Sequence, residues 1–224
     1  MTAPVGVFCD FDGTISEADL IAAIGLEFGG AGAAPIIAAV RARQMPVGAG
    51  VEALFGLIPS SAFPAVVAFA RRETRVRPGF AGFVGEVLAA GWRFTVVSGG
   101  FDFFVRPVLA PLGPEVAVVC NRIDASGPCL AVRWALPCDR LCAGGCGLCK
   151  PTVMRLCRHE AERQVLIGDG VTDILAAREC ALVVARDRLL LACEQEGLAH
   201  LPWESFFGLM PRIQETLRLG GGRA

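Results

Sequence analysis

The sequence contains no tyrosine and only two histidines, His159 and His200. Neither histidine stands in a glycine-rich or acidic segment, so we expect both to be surface residues rather than catalysts. Histidine is the most frequent general acid or base in enzymes. Its scarcity means that any acid–base chemistry here must rest mainly on carboxylates, lysine or cysteine.

The chain also lacks an excess of charge and a long apolar run. Lys and Arg number 21 against 22 Asp and Glu, so a basic surface for nucleic acid is not expected. No stretch of eighteen apolar residues occurs, which argues against a membrane-spanning helix. The segment 1–4 has no basic region of the kind that opens a signal peptide. We therefore expect a soluble cytoplasmic protein without nucleic-acid or membrane partners.

Ten cysteines are many for a cytoplasmic chain of 224 residues. Reducing conditions disfavour stable disulfides, so metal binding becomes an alternative for four that are crowded together. Their spacing is C-x3-C-x3-C-x2-C, and four thiolates could enclose a tetrahedral Zn²⁺. The spacing matches no standard zinc module, so free or occasionally oxidised thiols remain the other interpretation. These four residues are Cys138, Cys142, Cys146 and Cys149.

Two acidic residues follow the first predicted strand of the chain. The apolar run 5–9 is typical of a buried strand, and Asp10 and Asp12 come directly after it, in a turn that contains Gly13. Two carboxylates this close repel each other unless a positive group lies between them. Mg²⁺ prefers oxygen ligands and would meet that need, although Asp and Gly are also common in plain turns.

The rest of the chain alternates strands, glycine turns and helices, which is the pattern of a mostly parallel sheet. We predict an α/β fold with a Rossmann-like parallel sheet flanked by helices. Segments of helical periodicity directly after the first strand predict a small helical cap. The predicted division is a core of residues 1–15 and 78–224 with a cap of residues 16–77. The runs 116–120 and 130–134 read as two strands of a hairpin.

Three buried strands of this pattern end in polar, glycine-flanked signals. The first ends at Asp10, the second at Ser98 and Gly99, and the third at Asp169, with Asp173 four residues later. Ligands bind beyond the carboxyl ends of parallel strands, so these signals should meet at one edge of the sheet. Lys150 begins a predicted helix from which it could reach the same edge.

This set of groups suits phosphoryl transfer. A carboxylate that attacks phosphorus forms an acyl phosphate and divides one difficult displacement into two easier ones. Ser98 and the Gly99 amide can donate to the phosphoryl oxygens, and Lys150 and Mg²⁺ supply positive charge. A second carboxylate, Asp12, can protonate the leaving oxygen and then deprotonate the attacking water.

With these motifs in this order, the sequence resembles the haloacid dehalogenase superfamily of Mg²⁺-dependent phosphatases. The resemblance rests on the segment 10–14, Ser98, Lys150 and the segment 168–173. It implies that Asp10 is the nucleophile and Asp12 the general acid/base, with a small phosphorylated metabolite as substrate. It also implies that Mg²⁺ is held by Asp10, the Asp12 backbone carbonyl and Asp169, with Asp173 close by.

Two subfamilies compete within this resemblance. The segment 98–102 resembles phosphoserine phosphatases, which have glutamate where Asp19 stands. The cysteine segment followed by Lys150 and Pro151 resembles the 2-hydroxy-3-keto-5-methylthiopentenyl-1-phosphate phosphatases of methionine salvage. We favour the second, with phosphoserine or a related metabolite as the alternative substrate. Asp19 should face the substrate from the cap, and Arg43 is a weaker candidate.

A function of another class is a non-enzymatic zinc or redox sensor on the same fold. All the catalytic carboxylates, Ser98 and Lys150 are present, and a sensor would not need them. The sequence therefore favours an enzyme. Because the cysteine segment runs directly into Lys150, its order should govern where that positive charge lies.

Overall fold

The strands of the computed structural model join into a seven-stranded sheet, counted within the described residues 4–142, 144–158 and 162–220. His159, expected at the surface, lies outside these ranges. In chain order the strands are β1 (Val5–Cys9), β2 (Arg93–Phe101), β3 (Val116–Asp124), β4 (Ala131–Arg133), β5 (Arg163–Gly168), β6 (Leu182–Ala185) and β7 (His200–Pro202). Their order across the sheet is β4-β3-β2-β1-β5-β6-β7.

The sheet is parallel except at one edge. β1 lies at its centre and pairs in parallel with β2 on one side and β5 on the other. β3 and β4 pair antiparallel as the predicted hairpin requires, but β3 pairs through Arg122–Asp124, beyond the predicted run 116–120. All five residues of β1 are buried, as is usual for a strand covered on both faces.

The first four of the five α-helices between β1 and β2 lie where the sequence predicted a helical insertion. They are α1 (Leu20–Phe28), α2 (Ala33–Arg41), α3 (Val47–Gly56) and α4 (Phe63–Glu73). Asp19 caps α1, because its Oδ1 accepts a hydrogen bond of 3.0 Å from the Ala22 amide. Phe28 and Phe69 meet edge to face and join α1 to α4. The division at residues 16–77 stays a prediction.

The remaining helices cover the two faces of the sheet. Val7 and Phe8 are neighbours in β1 but belong to different apolar clusters, because successive side chains of a strand point to opposite faces. The predicted fold class, an α/β sheet flanked by helices, is confirmed. The helices that cover the sheet are α5 (Phe80–Ala89), α6 (Asp102–Leu109), α7 (Lys150–Cys157), α8 (Ile174–Ala177), α9 (Asp187–Glu196) and α10 (Leu209–Gly220).

Among the helices in the described part of the chain, none is both long and apolar enough to cross a membrane.

Candidate active site

Two of the three polar strand ends predicted from the sequence, those at Asp10 and Asp169, meet at the centre of the sheet. Asp10 follows β1 and Asp169 follows β5, and these two strands are paired residue by residue from Val5 and Arg163 onward. The chain order reverses at β1, since β2 and β5 lie on opposite sides of it. A crevice forms beyond the carboxyl ends of parallel strands at such a reversal.

Lys150 lies between two of the carboxylates. Its Nζ is 2.8 Å from Asp10 Oδ1 and 2.6 Å from Asp173 Oδ1, and all three side chains are buried. Lys150 is the first residue of α7, so the start of that helix fixes the position of the ammonium group. The sequence predicted that Lys150 reaches the strand ends, and in the structure it contacts Asp10 there.

Asp169 is held against the turn that follows β1. Its Oδ1 accepts a hydrogen bond of 2.7 Å from the Thr14 hydroxyl. Gly13 has φ +80, and a Cβ atom there would lie 2.3 Å from Asp169 Oδ2. Only glycine tolerates both this backbone conformation and this approach. The glycine of the first motif therefore makes room for the carboxylate of the last motif.

Three carboxylates are clustered at this site, and Lys150 contacts two of them. Asp10, Asp169 and Asp173 each place an oxygen within 4.8 Å of the others. Burial raises the pKa of Asp10 to about 8, with the charges of Asp173 and Asp169 acting in the same direction and Lys150 against it. Burial also raises the pKa of Asp169 to about 6.

The excess negative charge in this cluster has a chemical consequence. A buried group of carboxylates must either bind protons or bind a cation. Oxygen donors are the ligands that Mg²⁺ takes in proteins, so the donor set fits that ion. Asp173 is already engaged through both oxygens, because Oδ1 contacts Lys150 and Oδ2 accepts from the Asp169 and Gly170 amides at 3.3 and 3.1 Å.

Asp12 has a different environment from the three clustered carboxylates. Its Oδ1 accepts from the Leu20 amide at 3.1 Å, whereas its buried Oδ2 has no hydrogen-bond partner within the described part of the chain. Burial raises the pKa of Asp12 well above its usual value, and the charges of Asp19 and Asp10 add to this effect. A carboxyl group in this setting holds a proton that it can give to a reacting oxygen.

Ser98 and Gly99 lie inside β2, which continues to Phe101 instead of ending before them. The register of β2 against β3 shifts between Val97 and Phe101. Asn121 of β3 explains the irregular stretch, because its amide donates to the Gly99 carbonyl at 2.8 Å. Ser98 Oγ accepts from the Gly100 amide at 2.9 Å.

Arg77, the last residue of the predicted cap, contacts the first motif directly. Its guanidinium donates to the Gly13 and Thr14 carbonyls, each at 3.0 Å. It also lies over the Trp203 ring at 5.6 Å. No local pattern marks this arginine, because its partners are more than sixty residues away in the chain.

A cavity of about 400 Å³ opens above these groups. Asp10, Asp12, Lys150 and Asp169 form its polar end. Its apolar wall comes mainly from α1, α2 and α3, and from residues near the cysteine segment: Ile21, Ile36, Ile37, Val40, Val47, Val51, Leu54, Trp134 and Leu148.

Asp19 and Arg41 also line this cavity, and Arg41 Nη2 lies 3.9 Å from Asp19 Oδ2. The expectation that Asp19 faces the cavity from the helical insertion agrees with this position. Arg43 does not line the cavity. It lies two residues beyond the end of α2 and has a left-handed backbone conformation, with φ 57.

The four clustered cysteines lie beside the start of α7. Their sulfur atoms all fall within 4.8 Å of one another, and the Cys142 and Cys146 sulfurs are 3.6 Å apart. All ten cysteines of the chain are free thiols in the structure. The segment therefore gathers four thiols at one point, as the spacing suggested.

Comparison with known proteins places the chain in a family. Residues 7–178 match the family model described as haloacid dehalogenase-like hydrolase. The chain belongs to this haloacid dehalogenase-like hydrolase family. The family resemblance inferred from the four motifs is thereby confirmed.

Curated members of the haloacid dehalogenase-like family resemble the chain over nearly its whole length. A 2-hydroxy-3-keto-5-methylthiopentenyl-1-phosphate phosphatase of Geobacillus kaustophilus (strain HTA426) is 39% identical, covering 96% of this chain and 97% of the relative. A protein of the same name from Exiguobacterium sibiricum is 36% identical, covering 95% and 97%. The prediction of a phosphatase is confirmed, and these names give no support to the sensor alternative.

Solved structures of the haloacid dehalogenase-like family share the fold. A phosphoserine phosphatase from T. onnurineus superposes with a TM-score of 0.71 at 15% identity, covering 94% of both chains. A substrate-bound phosphoserine phosphatase gives 0.69 at 18% identity, covering 95% of this chain and 99% of that one. At such low identity, this likeness concerns the fold.

Proposed function

We propose that the protein is a Mg²⁺-dependent phosphatase of methionine salvage that hydrolyses 2-hydroxy-3-keto-5-methylthiopentenyl-1-phosphate through an aspartyl-phosphate. The observation that carries this proposal is the form of the cavity. A buried Asp10–Lys150 pair with two further carboxylates lies at its base, and its wall is apolar. The curated relatives that carry this substrate in their name support the same choice.

Asp10 is the nucleophile in this proposal. The Lys150 ammonium and the Phe11 amide both contact Asp10 Oδ1, at 2.8 and 2.7 Å. We therefore assign Oδ2 as the oxygen that attacks phosphorus. The Oδ2–P bond forms as the bond between phosphorus and the substrate oxygen breaks, and Asp10 then carries the phosphoryl group.

Asp12 moves the proton in both steps. Its raised pKa keeps it protonated at the start, so it can give the proton to the leaving oxygen. Asp12 is then a carboxylate and takes a proton from water as that water attacks the phosphorus of the aspartyl-phosphate. The Oδ2–P bond breaks, inorganic phosphate leaves, and Asp10 and Asp12 return to their starting states.

The remaining residues bind the phosphoryl oxygens. The Ser98 hydroxyl and the Gly99 amide act as donors, and Lys150 supplies a positive charge that helix α7 holds in place. Asp10, Asp169 and the Asp12 backbone carbonyl would hold Mg²⁺, with Asp173 orienting Lys150 and the segment after β5. When bound, Mg²⁺ neutralises the clustered carboxylates and the negative charge of the phosphoryl group.

The cavity wall favours a substrate with an apolar tail. The methylthio group could lie against Ile37, Val40 and Leu54 without loss of hydrogen bonds. Phosphoserine would bring an ammonium and a carboxylate into the same space, where Asp19 and Arg41 are the charged residues of the helical insertion. Burial of charged groups against an apolar wall is costly unless each is paired.

A first experiment tests the reaction. Phosphate release should require Mg²⁺ and should fall at least about a thousandfold in Asp10→Asn, because covalent catalysis is lost. Asp124→Asn removes a carboxylate that pairs with Arg133 at the sheet edge and should keep the parent rate. If Asp10→Asn releases phosphate as fast as the parent, the nucleophile is not Asp10.

A second experiment separates the two roles of the aspartates. An activated aryl phosphate has a leaving oxygen that hardly needs a proton, so Asp12→Asn should still form the aspartyl-phosphate from it. Hydrolysis of that intermediate needs the base, so we expect a burst of about one aryl alcohol per chain followed by slow turnover. A steady rate without a burst would remove Asp12 from the second step.

A third experiment tests the substrate. We expect a higher kcat/KM for the methylthiopentenyl phosphate than for phosphoserine, and the opposite order would overturn the substrate choice. Ile37→Gln should reduce this preference about tenfold, because a buried apolar contact contributes about 1–2 kcal/mol. Leu26→Gln, which changes an exposed leucine of α1 outside the cavity, serves as the matched control.

A further inference from the structure

Four cysteine thiols outside the proposed reaction come together in the segment that precedes α7. We propose that this segment binds one structural Zn²⁺ through four thiolates, those of Cys138, Cys142, Cys146 and Cys149. The site is distinct from the carboxylate cluster, and it does not depend on which phosphate ester the enzyme hydrolyses.

The distances between the sulfur atoms fit a tetrahedral ion. Zn–S bonds of about 2.3 Å at the tetrahedral angle place ligand sulfurs about 3.8 Å apart. The Cys142 and Cys146 sulfurs are 3.6 Å apart, and all four sulfurs lie within 4.8 Å of one another. A disulfide would require sulfurs about 2.0 Å apart, and the structure has free thiols.

The surroundings of the cluster suit a closed structural site. Cys149 is fully buried, and the other three thiols are half-buried, so four protein ligands can exclude a bound water. The Thr152 hydroxyl donates to the Cys149 sulfur at 3.1 Å and accepts from the Asp139 amide at 3.2 Å. Such hydrogen bonds orient ligand sulfurs around a metal.

Zinc binding exchanges the protons of four thiols for one metal ion. Four thiols lose their protons to solvent, four S–Zn bonds form, and no electron is transferred. The resulting unit carries two negative charges in total, from Zn²⁺ and four thiolates. Iron would also accept four thiolates, but zinc needs no redox partner and matches a site with no open position.

The segment around the cluster contacts both the helical insertion and the cavity. The Gly145 carbonyl accepts a hydrogen bond of 2.9 Å from the Gly48 amide at the start of α3. Cys146 and Leu148 line the cavity, and Cys149 is the residue that precedes α7. Zinc would therefore fix this segment at the place where the insertion, the cavity and Lys150 meet.

Metal analysis of the full chain, purified without a histidine tag from zinc-containing medium, tests this proposal. We expect about one zinc per chain and an X-ray absorption spectrum with sulfur as the only ligand element. Cys142→Ser and Cys146→Ser should reduce zinc to background, whereas Cys129→Ser, which changes an exposed thiol elsewhere, should keep it. Zinc at the carboxylates would be lost in Asp169→Asn, so its retention in that variant supports the thiol site.

A titration of the unaltered chain covers the case in which the cysteine variants do not fold. A mercurial reagent should release about one zinc as four thiols are blocked, and a chromogenic chelator measures that release. A zinc content at background, a Cys142–Cys146 disulfide in the purified protein, or iron in place of zinc would each overturn the proposal.

Discussion

The Asp12 carboxyl group lies directly against the backbone of Gly100. A Cβ atom at Gly100 would lie 2.8 Å from Asp12 Oδ2 and 2.6 Å from Cζ of Phe104. Asp12 Oδ2 is also the buried oxygen without a hydrogen-bond partner in the described residues. Any side chain at position 100 would therefore move the group to which we assign the proton transfers.

We expect Gly100→Ala to lower kcat by about 10- to 100-fold, within the contribution of a general acid–base group. KM for the phosphate ester should change less, because a Cβ atom at position 100 would collide with Asp12 and Phe104 rather than with the groups to which we assign phosphate binding. Gly85→Ala is the control, since a Cβ atom there meets nothing within 4 Å. Steady-state kinetics decide the matter, and an unchanged kcat in a folded Gly100→Ala variant would argue against proton transfer by Asp12.

Arg77 should stabilise the first motif through two carbonyl contacts. We expect Arg77→Met to lower the free energy of unfolding by about 1–2 kcal/mol, because hydrogen bonds from a charged group contribute more than neutral ones. Arg77→Lys should recover little of this, since a single ammonium cannot reproduce the fork that spans Gly13 and Thr14. Urea unfolding measures the effect, with Arg71→Met on the exposed side of α4 as control. Equal free energies of unfolding for Arg77→Met and Arg71→Met would contradict the stabilising role of Arg77.

Mg²⁺ should stabilise the folded protein even without substrate. A ligand at a hundredfold excess over its Kd adds about 2.7 kcal/mol, which corresponds to roughly 5 °C or more in Tm for a chain of this size. The shift should be strongly reduced in Asp169→Asn and retained in Asp124→Asn. Thermal unfolding with and without Mg²⁺ measures it. An equal shift in both variants would mean that the cation binds elsewhere.

Cys146→Ser should lower kcat by displacing Lys150 rather than by removing a reacting group. The variant is expected to lose zinc, to unfold at a lower temperature and to show Lys150 Nζ out of hydrogen-bond reach of Asp10 Oδ1 in a crystal structure. Cys129→Ser should match the parent in all three measurements. Turnover and stability that are both unchanged in Cys146→Ser would refute the proposed role of the cysteine segment.

The sequence predicted that the residues to which we assign the reaction lie together, because parallel strands bring their carboxyl ends to one edge. To predict that Asp10 and Asp169 lie close together, only the correct strand assignment and the rule for parallel sheets were needed. To predict the position of Lys150, one further assignment was needed, a helix that begins at the same edge. Each of these predictions used a signal that lies within a few residues of the group concerned.

Arg77 and Asn121 could not be predicted in the same way. Asn121 supports Gly99 and also accepts from the Ala135 amide at 3.0 Å, so it joins three segments that are distant in sequence. Arg77 reaches back to a turn more than sixty residues earlier. Such contacts form only when segments distant in the sequence come together in the fold. Neither periodicity nor local composition predicts which distant residues will meet.

The place of β1 in the sheet has a consequence for the order in which the protein folds. β1 supplies the central strand, but its partners are β2, which begins at Arg93, and β5, which begins at Arg163. During synthesis one edge of β1 must stay open until β5 has left the ribosome, with its unpaired backbone N–H and C=O groups exposed to other chains. Premature release of the chain before β5 should therefore produce aggregation rather than a partly active enzyme.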